Sequence, residues 1–290
     1  MSESLLAVWS GWLAPETQPF YLPAALATGM PTESASLTSE LRDTFAVYRL
    51  AKDLRAVWLS QKVFAGLPKA TRSTLVRAQV SCGRAAVATV RSWSSVLDSD
   101  DLRKQADGHR FVWWPNIVAL APATILGRVV SAGPGTSRHA EVRESLWRRC
   151  AGVLPGARSI AGTFPTGSGA NCSGTVMAAA GVADSVDAWM LQEPFDSWLK
   201  ENTTRGGSDH VAGTVLVWRD RDDIARHAAV TIGDGWCLEK PSQSWMTRAG
   251  WSGPRHHSPN AGERVALATA PDDLKHSAVQ RITEPLEGVA

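Results

Sequence analysis

Cysteine is scarce in this chain: the four among 290 residues, Cys82, Cys150, Cys172 and Cys237, show no Cys-x-x-Cys spacing. That speaks against a zinc cluster or a disulfide-stapled scaffold, and no metal or other cofactor is implied. An excess of either charge is missing too. Thirty Lys and Arg face 28 Asp and Glu, a formal net charge of +2, so no nucleic-acid partner is indicated. The strongly apolar uncharged run Phe111 to Gly127 holds Pro115 and Pro122 and falls short of the about 20 residues that a membrane helix needs. It reads as a buried segment, and no membrane association is expected. The N-terminal apolar patch has no basic residue before it and meets Pro15 and Glu16 early, unlike a secretory signal. The expected location is the cytoplasm, or outside it by a route that uses no cleavable signal. Internal repeats are absent, and tyrosine nearly so, with two against thirteen tryptophans. Packing accounts for most of that surplus, but Trp236 and Trp245 are candidate aromatic walls of a substrate cleft.

What is present is a globular composition, 44% hydrophobic and 20% charged. From Thr38 to about Ala65, Val47, Leu50, Leu54 and Val57 fall on one helical face, with Thr38 and Glu40 suited to the first turn. Gly66 and Pro68 end that pattern. Further helices are expected from Ala70 to about Trp93 and around Ser137 to Cys150. Residues 1–150 therefore read as a mainly helical accessory region. Pro155, Gly156, Gly162, Pro165, Gly167 and Gly169 then punctuate a linker, after which a helix opens at Cys172 and runs to Gly181. Beyond a further helix and loop the period changes to two. Gly213–Asp220, His227–Gly235 and Trp236–Trp245 read as successive antiparallel strands, the last two joined at Gly233-Asp234-Gly235. The expected fold class is α+β, with a site domain over 151–260 and a polar, featureless C-terminal extension over 261–290.

A thiol attacks as its thiolate, which a helix N-terminus and a neighbouring imidazole both favour. Cys172 has the first by position, and its own backbone N–H is suited to an oxyanion. Among seven histidines, His227 stands at the start of an alternating strand and shares a face with the small residues Ala229, Thr231 and Gly233. The return strand brings Glu239, twelve residues on, to its level. A carboxylate there accepts from one ring nitrogen, expected to be Nδ1, and leaves Nε2 for the thiol.

Together "NCSGTVMAAAGV", "GTVLVWRD", "HAAVTIGDGW" and "LEKP" resemble the NlpC-type cysteine peptidases, a branch of the papain-like superfamily. The likeness spans about Gly162 to Trp245. It implies a papain-like domain in which Cys172 is the nucleophile, His227 the general base and acid, and Glu239 the orienting residue. Asn171 stands where that family usually has Asp. Glu239 stands where it more often has His, Asn or Gln, and Phe164 is the nearest aromatic where a tyrosine often precedes the cysteine. Cysteine before histidine also argues against the permuted, lecithin:retinol acyltransferase-like order.

The resemblance implies a cysteine amidase or peptidase that forms a thioester acyl-enzyme on a peptide-like or acyl small molecule. The alternatives left open are an acyltransferase or amide synthase using an amine acceptor at the same site, a peptidoglycan-amidase toxin, and a non-catalytic binding module. An immunity or carrier protein is the partner that these alternatives imply.

Overall fold

The computed structural model describes residues 3–34, 36–132, 137–252 and the strand 275–282. The chain divides into two compact units, Met1–Ser131 and Ala132–Ala290, and mixes helices with antiparallel sheets in an α+β fold.

In the first unit β1 (Thr17–Pro23) pairs antiparallel with β2 (Leu54–Ser60), Thr17 opposite Ser60, and β3 (Val87–Thr89) with β4 (Arg110–Val112). The main helices are α1 (Glu3–Leu13), α2 (Ser39–Phe45), α3 (Lys69–Ser81) and α4 (Pro122–Ser131). Trp9, Phe20, Tyr21, Phe45, Phe111 and Ile125 are fully buried in it. Of the Phe111–Gly127 stretch, residues 111–114, Ile117, Val118, Ile125 and Leu126 are buried, while Asn116, Ala119, Leu120, Ala123 and Thr124 are exposed, so it is interior only in part. Among the described residues no helix is long and apolar enough to cross a membrane.

The single helix expected over Thr38–Ala65 does not form. Thr38 does cap the start, its Oγ accepting from the Leu41 N–H at 3.3 Å. Ala46 then adopts a left-handed conformation, φ 55°, and its N–H closes α2 onto the carbonyls of Arg42 and Asp43. Val57 and Leu59, which are buried two residues apart, become the inward positions of β2. A full ladder against β1 outweighs the helical spacing of the same residues. The region expected as helix over Ala70–Trp93 likewise breaks: α3 stops at Ser81, Gly83 turns at φ +74°, and β3 follows.

In the second unit the helices that matter are α5 (Glu144–Cys150), α6 (Cys172–Ala179) and α7 (Gln192–Asn202). They accompany an antiparallel sheet of β5 (Thr203–Arg205), β6 (Thr214–Arg219), β7 (Ala225–Gly233), β8 (Trp236–Glu239), β9 (Gly250–Ser252) and β10 (Lys275–Ile282). The spatial order is β5-β10-β6-β7-β8-β9. Two sequence expectations change here. The chain up to residue 150 is not one region, because Leu146, Trp147 and Cys150 of α5 belong to the core that α6 and the sheet share. The tail beyond 260 is not featureless, since β10 lies between β5 and β6.

The β7–β8 hairpin forms as its sequence demands. Gly233 pairs with Trp236, and Asp234 and Gly235 take φ of 53° and 77°. Two positive φ values in a two-residue loop match the twist of the flanking strands, which is why Asp-Gly is favoured there. The third strand of the meander is shorter than expected, ending at Glu239 rather than Trp245. Pro241, two residues on, has no N–H to offer a ladder.

Backbone packing behind α6 depends on a missing side chain. A Cβ at Gly156 would lie 2.1 Å from the Ala178 carbonyl oxygen, and the Gly156 N–H donates to Ala179 O at 3.1 Å. Gly156→Ala is expected to destabilise the second unit by about 1–3 kcal/mol, the usual cost of overpacking. Gly127, inside α4 with nothing near its would-be Cβ, is the contrasting site. There Ala should stabilise by about 0.5–1 kcal/mol. Urea unfolding of both variants measures the two signs.

Candidate active site

Cys172 is the first residue of α6, and its neighbours make that helix start. Asn171 takes an extended conformation, and its Oδ1 accepts from the Gly174 N–H at 2.9 Å. Its Nδ2 donates to the Met190 carbonyl at 2.8 Å. An aspartate could serve the first bond but has no donor for the second.

The structure brings Cys172, His227 and Glu239 together. His227 Nε2 lies 2.9 Å from Glu239 Oε2, with both side chains buried. This reverses the expected ring orientation. Ala229 is the residue directly opposite Glu239, so His227, two positions earlier on the same face, meets the carboxylate diagonally and with its far nitrogen. Nδ1 is left for the sulfur, which is hydrogen-bonded to the ring.

Two further donors reach the sulfur, the backbone N–H of Ala228 and the hydroxyl of Ser173. The first follows from strand length. The β7–β8 ladder runs out at the Ala229–Glu239 pair, so the N–H one position beyond is turned to Sγ instead of to a carbonyl. Burial of the sulfur raises the thiol pKa and is the largest single influence. The donors from His227, Ala228 and Ser173 outweigh it, and the thiol ends below its ordinary value. Burial likewise lowers the His227 pKa, but its bonds to Cys172 and Glu239 win and the imidazole is raised well above its usual range. The remaining thiols differ. Cys82 is raised by desolvation and by Asp53, Cys150 by desolvation, and Cys237 is buried in the sheet.

Trp218, which sequence reasoning grouped with other late tryptophans, is the aromatic neighbour of the site. It pairs across the ladder with His227, their ring centroids 5.4 Å apart at 40°. Of the two tryptophans proposed as cleft walls, Trp236 is elsewhere. Trp236 pairs with Gly233 under the guanidinium of Arg138. Six residues of strand separate that pair from His227, about 20 Å at the usual rise. Trp245 is fully buried, and its N–H donates to Ser168 Oγ at 3.1 Å.

That last bond belongs to a seam. Gly169 N–H donates to Gln243 O at 3.0 Å, Gly162 N–H to Ala249 O at 2.9 Å and Ala249 N–H to Thr163 O at 3.1 Å. The loop leading to Cys172 is thereby stitched to the chain leaving Glu239. Lys240, buried beside Glu239, donates its ammonium to the carbonyls of Ser242 and Ser244 and shapes that departure. No sequence signal marks Lys240 for this. Among the described residues no group of three or more His, Cys, Asp or Glu side chains is placed to hold a metal ion.

The pKa directions set a pH window. A depressed thiol keeps its thiolate above its own pKa and loses it as pH falls through that value; a raised imidazole keeps its proton below its own. Between the two values Cys172 and His227 form an ion pair. Iodoacetamide at pH 7 should therefore alkylate Cys172 ahead of Cys82, Cys150 and Cys237, with its rate persisting to pH values where an ordinary thiol is inert. Peptide mapping by mass spectrometry reads the order; another cysteine reacting first contradicts the site.

Compared with family models, with curated proteins and with solved structures, the chain matches none.

Proposed function

We propose that the second unit is a papain-like cysteine amidase or peptidase, cleaving a peptide-like amide through a thioester acyl-enzyme. The observation that carries this reading is the file of hydrogen bonds from the Cys172 sulfur through His227 to Glu239.

The chemistry follows from those contacts. The thiolate attacks the amide carbonyl carbon, a C–S bond forms, and the carbonyl electrons move onto oxygen. The N–H of Cys172, one of those that a helix start leaves without an intrahelical partner, receives that oxyanion in this reading. As the C–N bond breaks, His227 passes its Nδ1 proton to the departing amine. Water then gives a proton to Nδ1 and attacks the thioester carbonyl; the C–S bond breaks and the sulfur leaves as thiolate. Glu239 keeps the Nε2 proton throughout, which holds the ring in place for both transfers and stabilises its charged form. Trp218 packs against the ring and limits its movement.

Turnover of peptide amides and thioesters, with intact-mass detection of an acyl adduct on the protein, tests the proposal. Cys172→Ala should lose both adduct and turnover, a fall on the order of 10⁵-fold or more. His227→Ala should cost about 10²–10⁴-fold. Glu239→Gln, which keeps a polar contact but removes the negative charge, should lower kcat by about 10²–10⁴-fold and narrow the pH range of activity. Turnover that survives Cys172→Ala rejects the assignment.

A further inference from the structure

The first unit holds a cleft of about 480 Å³ that the chemistry proposed for Cys172 does not use. Three pieces of chain meet at it: the short helix Val90–Trp93, the helix Ser99–Gln105, and the turn at Gly108 and His109 that precedes β4. Each is anchored. Thr89 Oγ1 accepts from the Ser92 N–H at 3.1 Å, and the Arg128 guanidinium lies over the Trp93 ring and donates to the Ser92 carbonyl. Asp98 caps the second helix, accepting from the N–H groups of Asp100 and Asp101. The turn is tied on both sides, since the Val90 N–H donates to the His109 carbonyl at 3.0 Å and Arg72 pairs with the buried Asp107 at 2.9 Å.

Arg91, Arg103 and His109 line this cleft, together with Ser94 and Ser99, and among the described residues no Asp or Glu does. Asp98 is committed to its cap and Asp101 to Lys104 at 2.8 Å. Asp100 does meet Arg103, at 2.7 Å, but both side chains are more than half exposed, and such a pair is worth little. The guanidinium has further N–H groups to give. Arg91 makes no ion pair or side-chain hydrogen bond among the described residues. Two guanidiniums and an imidazole gathered on a cleft without a carboxylate draw an anion to it, and the planar fork of arginine suits phosphate. The remaining groups suit hydroxyls. Ser94 spends its one hydroxyl proton on the Arg91 carbonyl at 3.0 Å, so it offers a ligand only an acceptor, which a phosphate oxygen cannot use. The volume exceeds what a bare phosphate fills and lies within the about 300–1,000 Å³ of small-molecule sites. Among the described lining side chains only that of Val90 is apolar, which leaves no slot for a nucleobase. We propose that this cleft binds a sugar phosphate, with the phosphate on Arg91, Arg103 and His109 and the sugar hydroxyls on Ser94 and Ser99. The site stands independently of Cys172 as nucleophile.

Titration calorimetry of the full-length chain with glucose 6-phosphate tests this, in about 0.15 M salt so that diffuse attraction is screened. Binding should saturate at one molecule per chain with a Kd below about 1 mM. Glucose and inorganic phosphate, each carrying half of the recognised chemistry, should bind at least about tenfold more weakly. Arg91→Gln and Arg103→Gln should each weaken glucose 6-phosphate by about tenfold or more, and the double variant should lose it. Both arginines are exposed, so the urea midpoint of these variants should stay that of the unaltered protein. Ser94→Ala should weaken glucose 6-phosphate and leave inorganic phosphate as it was. Arg77→Gln, at an exposed arginine of α3, should change nothing. The absence of saturable binding, or an affinity that survives in the double variant, overturns the cleft as an anion site. Inorganic phosphate or AMP binding as tightly as glucose 6-phosphate overturns the assignment of the sugar.

Discussion

The bond between His227 Nε2 and Glu239 Oε2 is the constraint on which the second unit's site depends. A buried carboxylate is costly unless a cation or donor meets it, and a buried imidazolium has the mirror-image problem. Each group here answers the other. Their meeting also fixes the ring, so that the remaining nitrogen faces the sulfur, and the charge of Glu239 is felt across the imidazole at the thiol. The register that makes this contact comes from a turn of two residues. Asp234 and Gly235 accept positive φ, Gly233 pairs with Trp236, and Glu239 arrives opposite Ala229. A shift of one residue would put Glu239 on the other face of the sheet.

Much of that arrangement was legible from spacing. Period-two alternation placed His227 and Glu239 on one face, and a small-residue loop before an apolar run placed Cys172 at a helix start. The ring orientation was not legible, because both nitrogens of an imidazole satisfy a carboxylate equally in one dimension. Trp236 was misplaced for a related reason. Nearness in sequence to Glu239 does not carry nearness in space along an extended strand, which puts Trp236 about 10 Å from it. Trp218, farther along the chain from Glu239, is the residue that meets His227.

In the first unit the failure has a different origin. Val57 and Leu59 satisfy a strand, while Val57 together with Val47, Leu50 and Leu54 satisfies a helix, and only the partner strand Thr17–Pro23, some 35 residues earlier, settles which pattern wins. Local spacing carries no information about such a partner. The same holds for Lys275–Ile282, whose strand exists through the neighbours on either side of it. Elements that close on themselves within a few residues, such as the Asp-Gly hairpin or the Thr38 cap, were the readable ones.

The early end of β8 has a further meaning. Because the ladder stops at Glu239, a main-chain amide of β7 is spared for sulfur, and no side chain is needed to supply that donor. The ionisation of Cys172 is thus tied to how many residues the hairpin contains. Substitutions along 236–239 that respect inward and outward faces leave this donor untouched, whereas lengthening the ladder by one pair would hand the Ala228 amide to a carbonyl. Part of the reactivity is encoded as a count rather than as an identity, and is invisible to any comparison that scores residues one position at a time.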